Sequence, residues 1–149
     1  MRVVLQRVLE ASCTIEDEVT GAIRNGYCLL VGIGPDDTEQ TLEKMAAKIL
    51  KLRICSDEQG KMNLNVLQTG GAILSISQFT LYADCRKGNR PGFAGAAAPQ
   101  KAEELYHRFN EILARDIRVE TGQFGADMKI ALINDGPVTI LLDSEVLGF

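Results

Sequence analysis

Ala22-Ile23-Arg24-Asn25-Gly26-Tyr27-Cys28-Leu29-Leu30-Val31-Gly32-Ile33 is the stretch that decides how this chain folds. Asn-Gly supplies the positive φ angles of a tight two-residue turn, so the stretch predicts a β-hairpin centred on Asn25-Gly26. The arm after the turn is almost continuously apolar. A strand of that kind is covered on both faces, and something must be stacked against each of them.

Working outward, Val3-Val4-Leu5-Gln6-Arg7-Val8 and Ala11-Ser12-Cys13-Thr14-Ile15 read as two short strands rich in β-branched residues. Downstream, Pro35-Asp36-Asp37 breaks the central strand and a helix follows. Asp37 is the predicted cap, with Gln40 three residues on in capping-box register. Leu42, Met45, Ala46, Ile49 and Leu52 recur at helical spacing and define its apolar face. A second helix starts near Pro99, a favoured first-turn residue, with Leu105, Phe109, Ile112 and Leu113 on its inner face. Between the helices lie a turn around Asp57-Glu58-Gln59-Gly60, a strand at Ala72–Ser77 and a loop from Ala83 to Ala98. Further strands are expected at Ile117–Glu120, Met128–Ile133 and Val138–Leu142. No repeat, low-complexity segment or linker interrupts the pattern. The expectation is one mixed α/β domain over residues 1–149, its sheets covered by two main helices.

Composition narrows the function classes. With 46% hydrophobic and 24% charged residues, the 149-residue chain can bury a core without staples. The opening apolar run is too short and too charged for a signal peptide. No stretch approaches the ~20 apolar residues of a membrane span, so a cytoplasmic location is expected. Cys13, Cys28, Cys55 and Cys85 form no C-x-x-C pair and read as incidental thiols. His107 is the only histidine, which leaves Cys/His metal sites unsupported. It falls on the outer side of the second helix and is expected to face solvent, so a Ser-His-Asp triad lacks its base. No phosphate-binding glycine loop is present and no cofactor is expected. The net charge of −4 argues against indiscriminate nucleic-acid binding but allows a local basic patch.

Three segments could carry chemistry. Ser77-Gln78-Phe79-Thr80-Leu81-Tyr82 brings hydroxyl and amide groups to the end of an apolar strand, either as a wet edge or as the wall of a cleft. Asn134-Asp135-Gly136-Pro137-Val138-Thr139 reads as a hairpin turn, since Asp-Gly and Gly-Pro are strong turn signals. Asp84-Cys85-Arg86-Lys87-Gly88-Asn89-Arg90-Pro91-Gly92-Phe93 places Arg86, Lys87 and Arg90 on one loop, either simply solvated or in contact with phosphates.

These segments resemble the D-aminoacyl-tRNA deacylase family. The likeness also takes in Met1–Val8, Gly60–Asn63 and Glu120–Met128, in the family's order and across nearly the whole chain. The resemblance implies a barrel-like layered sheet and a homodimer with active sites at the subunit interface. It implies hydrolysis of the ester in D-aminoacyl-tRNA, and of glycine mischarged on tRNA(Ala). Ser77, Gln78, Phe79 and Thr80 would line the pocket for the 3′-terminal adenosine and its ester. Gly136-Pro137 would form a cis peptide that enters the partner's pocket and excludes L-amino acids. Phe124, Gly125 and Met128 would lie near the same pocket, and Arg7 would help hold the Gly-Pro segment. The chain departs from many relatives at Gly92, where they carry serine. Such a site implies positioning and oxyanion stabilisation by backbone N–H groups around Phe79 and Thr80. A 2′-hydroxyl of the substrate would help activate water, and Thr80 is expected to position rather than attack, because nothing activates its hydroxyl.

Overall fold

The computed structural model describes residues 1–149. Strand β1 (Arg2–Ile15) turns at Glu16-Asp17, whose φ angles of 48° and 68° are those of a tight primed turn, into β2 (Glu18–Ile23). The hairpin therefore closes at Glu16-Asp17 and not at Asn25-Gly26. Strand β3 (Gly26–Gly32) continues along β1 beyond β2 without change of register, from Ala11↔Ile23 to Val8↔Gly26. Asn25-Gly26 is thus a kink inside one long partner of β1. Glycine is required there for a different reason from the one expected: Gly26 has φ 150°, and a Cβ would lie 1.9 Å from the Ala72 carbonyl oxygen. It marks a close backbone approach.

Beyond β3, β6 (Ala72–Ser77) and β7 (Val119–Thr121) add in parallel. On the other side of β1 lies β8 (Lys129–Asp143), antiparallel along almost its whole length. A small separate hairpin joins β4 (Cys55–Ser56) to β5 (Met62–Leu64). The main sheet curls until β2 meets β7. A Cβ on Gly21 would sit 2.7 Å from the Thr121 carbonyl oxygen, and the Arg118 guanidinium donates to the Ala22 carbonyl at 3.3 Å. The result is the expected barrel-like mixed sheet.

Two apolar clusters fill the two sides of this sheet. Val3, Leu5, Tyr27, Leu29, Val31 and Ile73 pack under α1 (Glu39–Lys51) and α2 (Pro99–Ala114). Cys13, Cys28, Leu74 and Ile76 face the inside of the curl. β3 is therefore covered on both faces, as its composition demands. On α1, Leu42, Met45, Ala46 and Ile49 are buried as predicted, whereas Leu52 is the C-cap and only half-buried. On α2, Phe109, Ile112 and Leu113 are buried together with Tyr106 and Ala102, while Leu105 is half-buried. A last short helix, α3 (Ser144–Leu147), closes the chain.

Three further expectations are corrected. The cap of α1 is Thr38, in a reciprocal pair with Thr41. Asp37 is buried instead, accepting from the Met1 ammonium at 2.5 Å and the Gly34 N–H at 2.6 Å. A buried carboxylate satisfied by a cation and a backbone donor is unavailable for capping. Next, the two N-terminal strands are one. Their apparent break, Leu9-Glu10, is where β1 passes from the helix-side core to the inner one, and both residues are exposed. Finally, Asp135-Gly136-Pro137 is not a hairpin turn. It lies inside β8, where the register jumps from Val8↔Asn134 to Gln6↔Thr139, so that four residues bulge opposite Arg7 alone. The Gly136-Pro137 peptide is cis.

Cys13, Cys28 and Cys55 are buried and Cys85 is exposed, all as free thiols. Burial, reinforced by the neighbouring Cys13, pushes the Cys28 thiol up to about 11. No helix is long and apolar enough to cross a membrane.

Replacement of Gly26 by alanine drives a methyl group into the β6 backbone at a φ that L-residues rarely adopt. The variant should lose about 3 kcal/mol or more, read as a fall in the urea midpoint, while Asn25→Ala should cost less than about 1 kcal/mol. Equal losses would mean that Asn25-Gly26 acts as a turn after all.

Candidate active site

Parallel strands leave their carboxyl ends open, and ligands of such sheets bind there. β3 and β6 end side by side, and past them the chain builds a cavity of about 300 Å³. Val31 and Ile33 come from the end of β3, Ile76 and Ser77 from the end of β6, and Gln78 and Phe79 from the turn that follows. Ala102 and Tyr106 of α2 form a second wall, and Phe124, Gly125, Ala126, Met128 and Ile130 a third. The sequence-predicted Ser77, Gln78, Phe79, Phe124, Gly125 and Met128 are thus brought together. Thr80, Arg7, Gly136 and Pro137 are not among the lining residues of this chain's cavity.

The residues Phe79–Tyr82 form one 3-10 turn. Its hydrogen bonds run from Leu81 N–H to the Gln78 carbonyl and from Ala83 N–H to that of Thr80. The Phe79 and Thr80 N–H groups at its start are left without an intrahelical acceptor. By contrast, the Gln78 N–H is used, donating to the Val31 carbonyl at 2.7 Å and tying the turn to β3. Thr80 is exposed, and its hydroxyl accepts from the Gln78 amide. An amide donor withdraws electron density from that oxygen, and no base accepts its proton.

Several contacts fix the turn. The Arg2 guanidinium donates to the Leu81 carbonyl at 3.1 Å, lies 4.5 Å from the Tyr82 ring centroid and pairs with Asp143 at 2.9 Å. For Asp143, partial burial raises the carboxyl's pKa, but hydrogen bonds from Arg2 and the Glu145 N–H outweigh it and hold it below the ordinary value. Gly34 leaves room for the Tyr82 hydroxyl, which a Cβ would approach to 2.6 Å. Burial also raises the Tyr82 phenol above its usual range, helped by nearby Asp37.

The far wall has its own lock. The Tyr106 hydroxyl donates to the Ser75 carbonyl at 2.7 Å, and its ring packs 6.0 Å from that of Phe124. Burial raises this phenol too, so it stays protonated. A Cβ on Gly122 would reach within 2.4 Å of the Met128 sulfur, so Met128 packs directly over this glycine. Sequence reasoning did not find Tyr106 or Ala102 as cavity residues. Tyr106 and Ala102 precede Phe109 by three and seven residues, so helical spacing already puts them on its face; what the spacing does not show is that this face lines a cavity.

Arg7, 10% exposed, spans the bulge in β8. Its Nε donates to the Asp135 carbonyl at 3.0 Å and lies 3.2 Å from the Asp135 carboxylate, and its Nη1 donates to the Ile54 carbonyl at 2.6 Å. The basic loop is closed at its base by mutual backbone hydrogen bonds between Asp84 and Gly92, at 2.7 and 2.9 Å. A Cβ at Gly92 would meet nothing closer than 4.0 Å, so a side chain fits there. On this loop Arg86 is paired with Asp84 at 2.8 Å, which lowers the carboxyl and raises the guanidinium. Lys87 and Arg90 are exposed and form no ion pair with the chain. His107 is exposed on α2, 3.9 Å from Glu103 and away from the cavity. The site has no imidazole base, and no cluster of three or more His, Cys, Asp or Glu residues could hold a metal.

The cavity is mostly apolar, and Phe79 in its wall carries a backbone N–H without an intrahelical acceptor, an arrangement that can hold and orient a polar ligand. Solved structures share this fold, two of them as follows. One described as "c-Myc DNA Unwinding Element Binding Protein" is 44% identical, with a TM-score of 0.91 over 97% of this chain and 99% of that one. Another, "Structural Analysis of a probable eukaryotic D-amino acid tRNA deacylase", is 17% identical, with a TM-score of 0.83 over 95% of this chain and 97% of that one. Residues 4–143 match the model of the family described as D-Tyr-tRNA(Tyr) deacylase, and the chain belongs to that family of hydrolases.

Arg2→Met should release the 3-10 turn at a small cost in stability, about 1 kcal/mol or less for a half-exposed pair. Ester turnover should fall several-fold, because misplaced positioning groups are costly. The contribution of the pair is present above pH ~4 and is lost as the pH falls through the depressed Asp143 value. Thermal melts of wild type and Asp143→Asn between pH 2 and 6 should therefore converge in acid. A constant gap between the curves would remove Asp143 from this role.

Proposed function

We propose that this protein hydrolyses the ester of D-aminoacyl-tRNA, with the cavity beside Ser77–Thr80 receiving the 3′-terminal adenosine and its aminoacyl group. The observation that carries the reading is the convergence of Ser77, Gln78 and Phe79 with Phe124, Gly125 and Met128 on one cavity, in a chain of this family. The Phe79 and Thr80 N–H groups are the oxyanion donors, where preorganised donors act on developing charge. Thr80 orients the ester through its hydroxyl. The attacking water is activated by the substrate's own 2′-hydroxyl, in keeping with the lack of a base.

Selectivity is assigned to Gly136-Pro137 of a second copy in a homodimer. Backbone carbonyls suit this task because they cannot rotate away, and occupying the space of one enantiomer's side chain rejects it by a clash. Arg7, bound to the Asp135 carbonyl, anchors the segment. A dimer is supported by edge strand β8, whose Ile133 and Leu141 are 51% and 77% exposed. Glycine has no side chain to reject, so glycine mischarged on tRNA(Ala) is a second substrate. Lys87 and Arg90, with Arg86, contact tRNA phosphates. Translation substrates of this kind agree with a cytoplasmic location.

Purified protein should cleave D-Tyr-tRNA and Gly-tRNA much faster than L-Tyr-tRNA; equal rates on the D and L esters would sink the chirality filter. Arg7→Met should cost about 1–3 kcal/mol, the range for buried acceptors losing a donor, and should raise L-ester cleavage relative to D. Thr80→Ala should keep turnover within about tenfold of wild type, as expected for a positioning group. An acyl group trapped on Thr80 and seen by mass spectrometry would establish the nucleophile instead.

A second reading, nucleic-acid binding without cleavage, draws on the description of the structure with 44% identity and on the unpaired Lys87 and Arg90. It predicts binding that weakens steeply with salt and no release of amino acid.

A further inference from the structure

Of the chain's eight aromatic residues, five Phe and three Tyr, only Phe79 and Phe93 are exposed. Their accessibilities are 55% and 37%. The two rings meet edge to face, with centroids 5.0 Å apart and planes at 68°. Phe79 belongs to the cavity wall, and Phe93 directly follows the basic loop. The backbone holds Phe93 in place from both sides. Asp84 and Gly92 clamp the residue before it, and after it the Ala96 N–H donates to the Phe93 carbonyl at 3.1 Å. The Ala97 N–H then donates to the Ile33 carbonyl at 3.0 Å, fixing the segment to the end of β3.

Had the pair served only to pin the loop, the rings would bury each other. Instead each keeps more than a third of its surface free; Phe79 stands in the cavity wall, and Phe93 follows in sequence the loop that carries the unpaired cations Lys87 and Arg90. Cations that hold a backbone, followed by a rigid open ring, form the arrangement that binds single-stranded nucleic acid by stacking. Phe79 supports the second ring edge-on, in the geometry that aromatic pairs prefer.

We infer that Phe93, braced by Phe79, is a stacking platform for the base of the nucleotide that precedes the terminal adenosine, and so a specificity residue for single-stranded 3′ ends. The inference rests on the function proposed above. It assigns the free ring to the penultimate base, because the cavity beyond Phe79 is assigned to the last nucleoside. Stacking tolerates any base, so the platform selects an unpaired end and not a sequence.

The test compares D-tyrosyl esters of adenosine, of cytidylyl-adenosine, and of the same dinucleotide with an abasic first position. For the wild type, adding the first nucleotide should raise kcat/KM about tenfold through KM, within the range of a single base–aromatic stack. The abasic ester should lose that gain. Phe93→Ala and Phe93→Leu should lose it too, whereas Phe93→Tyr should keep it. The inference is overturned by a gain that survives in the abasic ester, which would trace it to the phosphate. It is equally overturned by Phe93→Ala lowering the rates on all three esters in proportion, which would make the ring a loop anchor only. Absence of any D-ester hydrolysis by the wild type would remove the function proposed above and this inference with it, whereas hydrolysis without a base-dependent gain removes the inference alone.

Discussion

Everything in this fold hangs on the antiparallel pairing of β1 with β8, and on what happens to it at Arg7. For five pairs from Arg2 to Gln6, and again from Glu10 to Thr14, the strands run in step. Between them β8 has residues in excess, and the ladder cannot satisfy the extra backbone groups. Arg7 replaces the missing partners, donating to the Asp135 carbonyl and to the Ile54 carbonyl in the connection after α1. A guanidinium suits the place because its donors diverge in a fixed plane and its charge is permanent. The same interruption lets β1 leave the helix-side core and enter the inner one.

The candidate site then follows from topology. Only β3, β6 and β7 run parallel, and the carboxyl ends of β3 and β6 form the floor of the cavity. Close packing seats the parts around it. Gly26 admits β6, Gly34 admits Tyr82, and Gly122 admits Met128. The 3-10 turn is held from below by the Gln78 N–H, which donates to Val31 of β3, and from the side by Arg2. Its position is decided by strands β1 and β3, far from it in sequence.

How much of this could be read from the residues depended on the range of the interaction concerned. Periodicity located both helices and most of their inner faces, because a helix buries residues at a spacing set by its own geometry. The double burial of β3 was equally legible. Asn25-Gly26 misled, since the signal for a positive φ is the same whether the chain reverses or a neighbouring backbone comes close. Asp135-Gly136-Pro137 misled in a similar way: local chemistry favours a turn, but pairing with β1 on both sides keeps the strand going through a bulge. Asp37 carries a cap signature, yet a cation from the start of the chain claims it. Each departure is a long-range contact overriding a local preference. For the site, Ser77–Phe79 and Phe124–Met128 were visible through the family's motifs; Tyr106 and Ala102 share the helical face of Phe109, but that this face borders a cavity follows only from how α2 packs.

The cavity wall contains a single ionisable side chain, Tyr106, and its proton is committed to the Ser75 carbonyl. Its interior therefore offers no counter-charge, and the unpaired cations Lys87 and Arg90 stand outside its wall. Under the function proposed above, capture and chemistry are lodged in separate parts of the molecule. Ionic strength would then tune how readily a charged polymer arrives without altering the dielectric or the protonation state of the cavity.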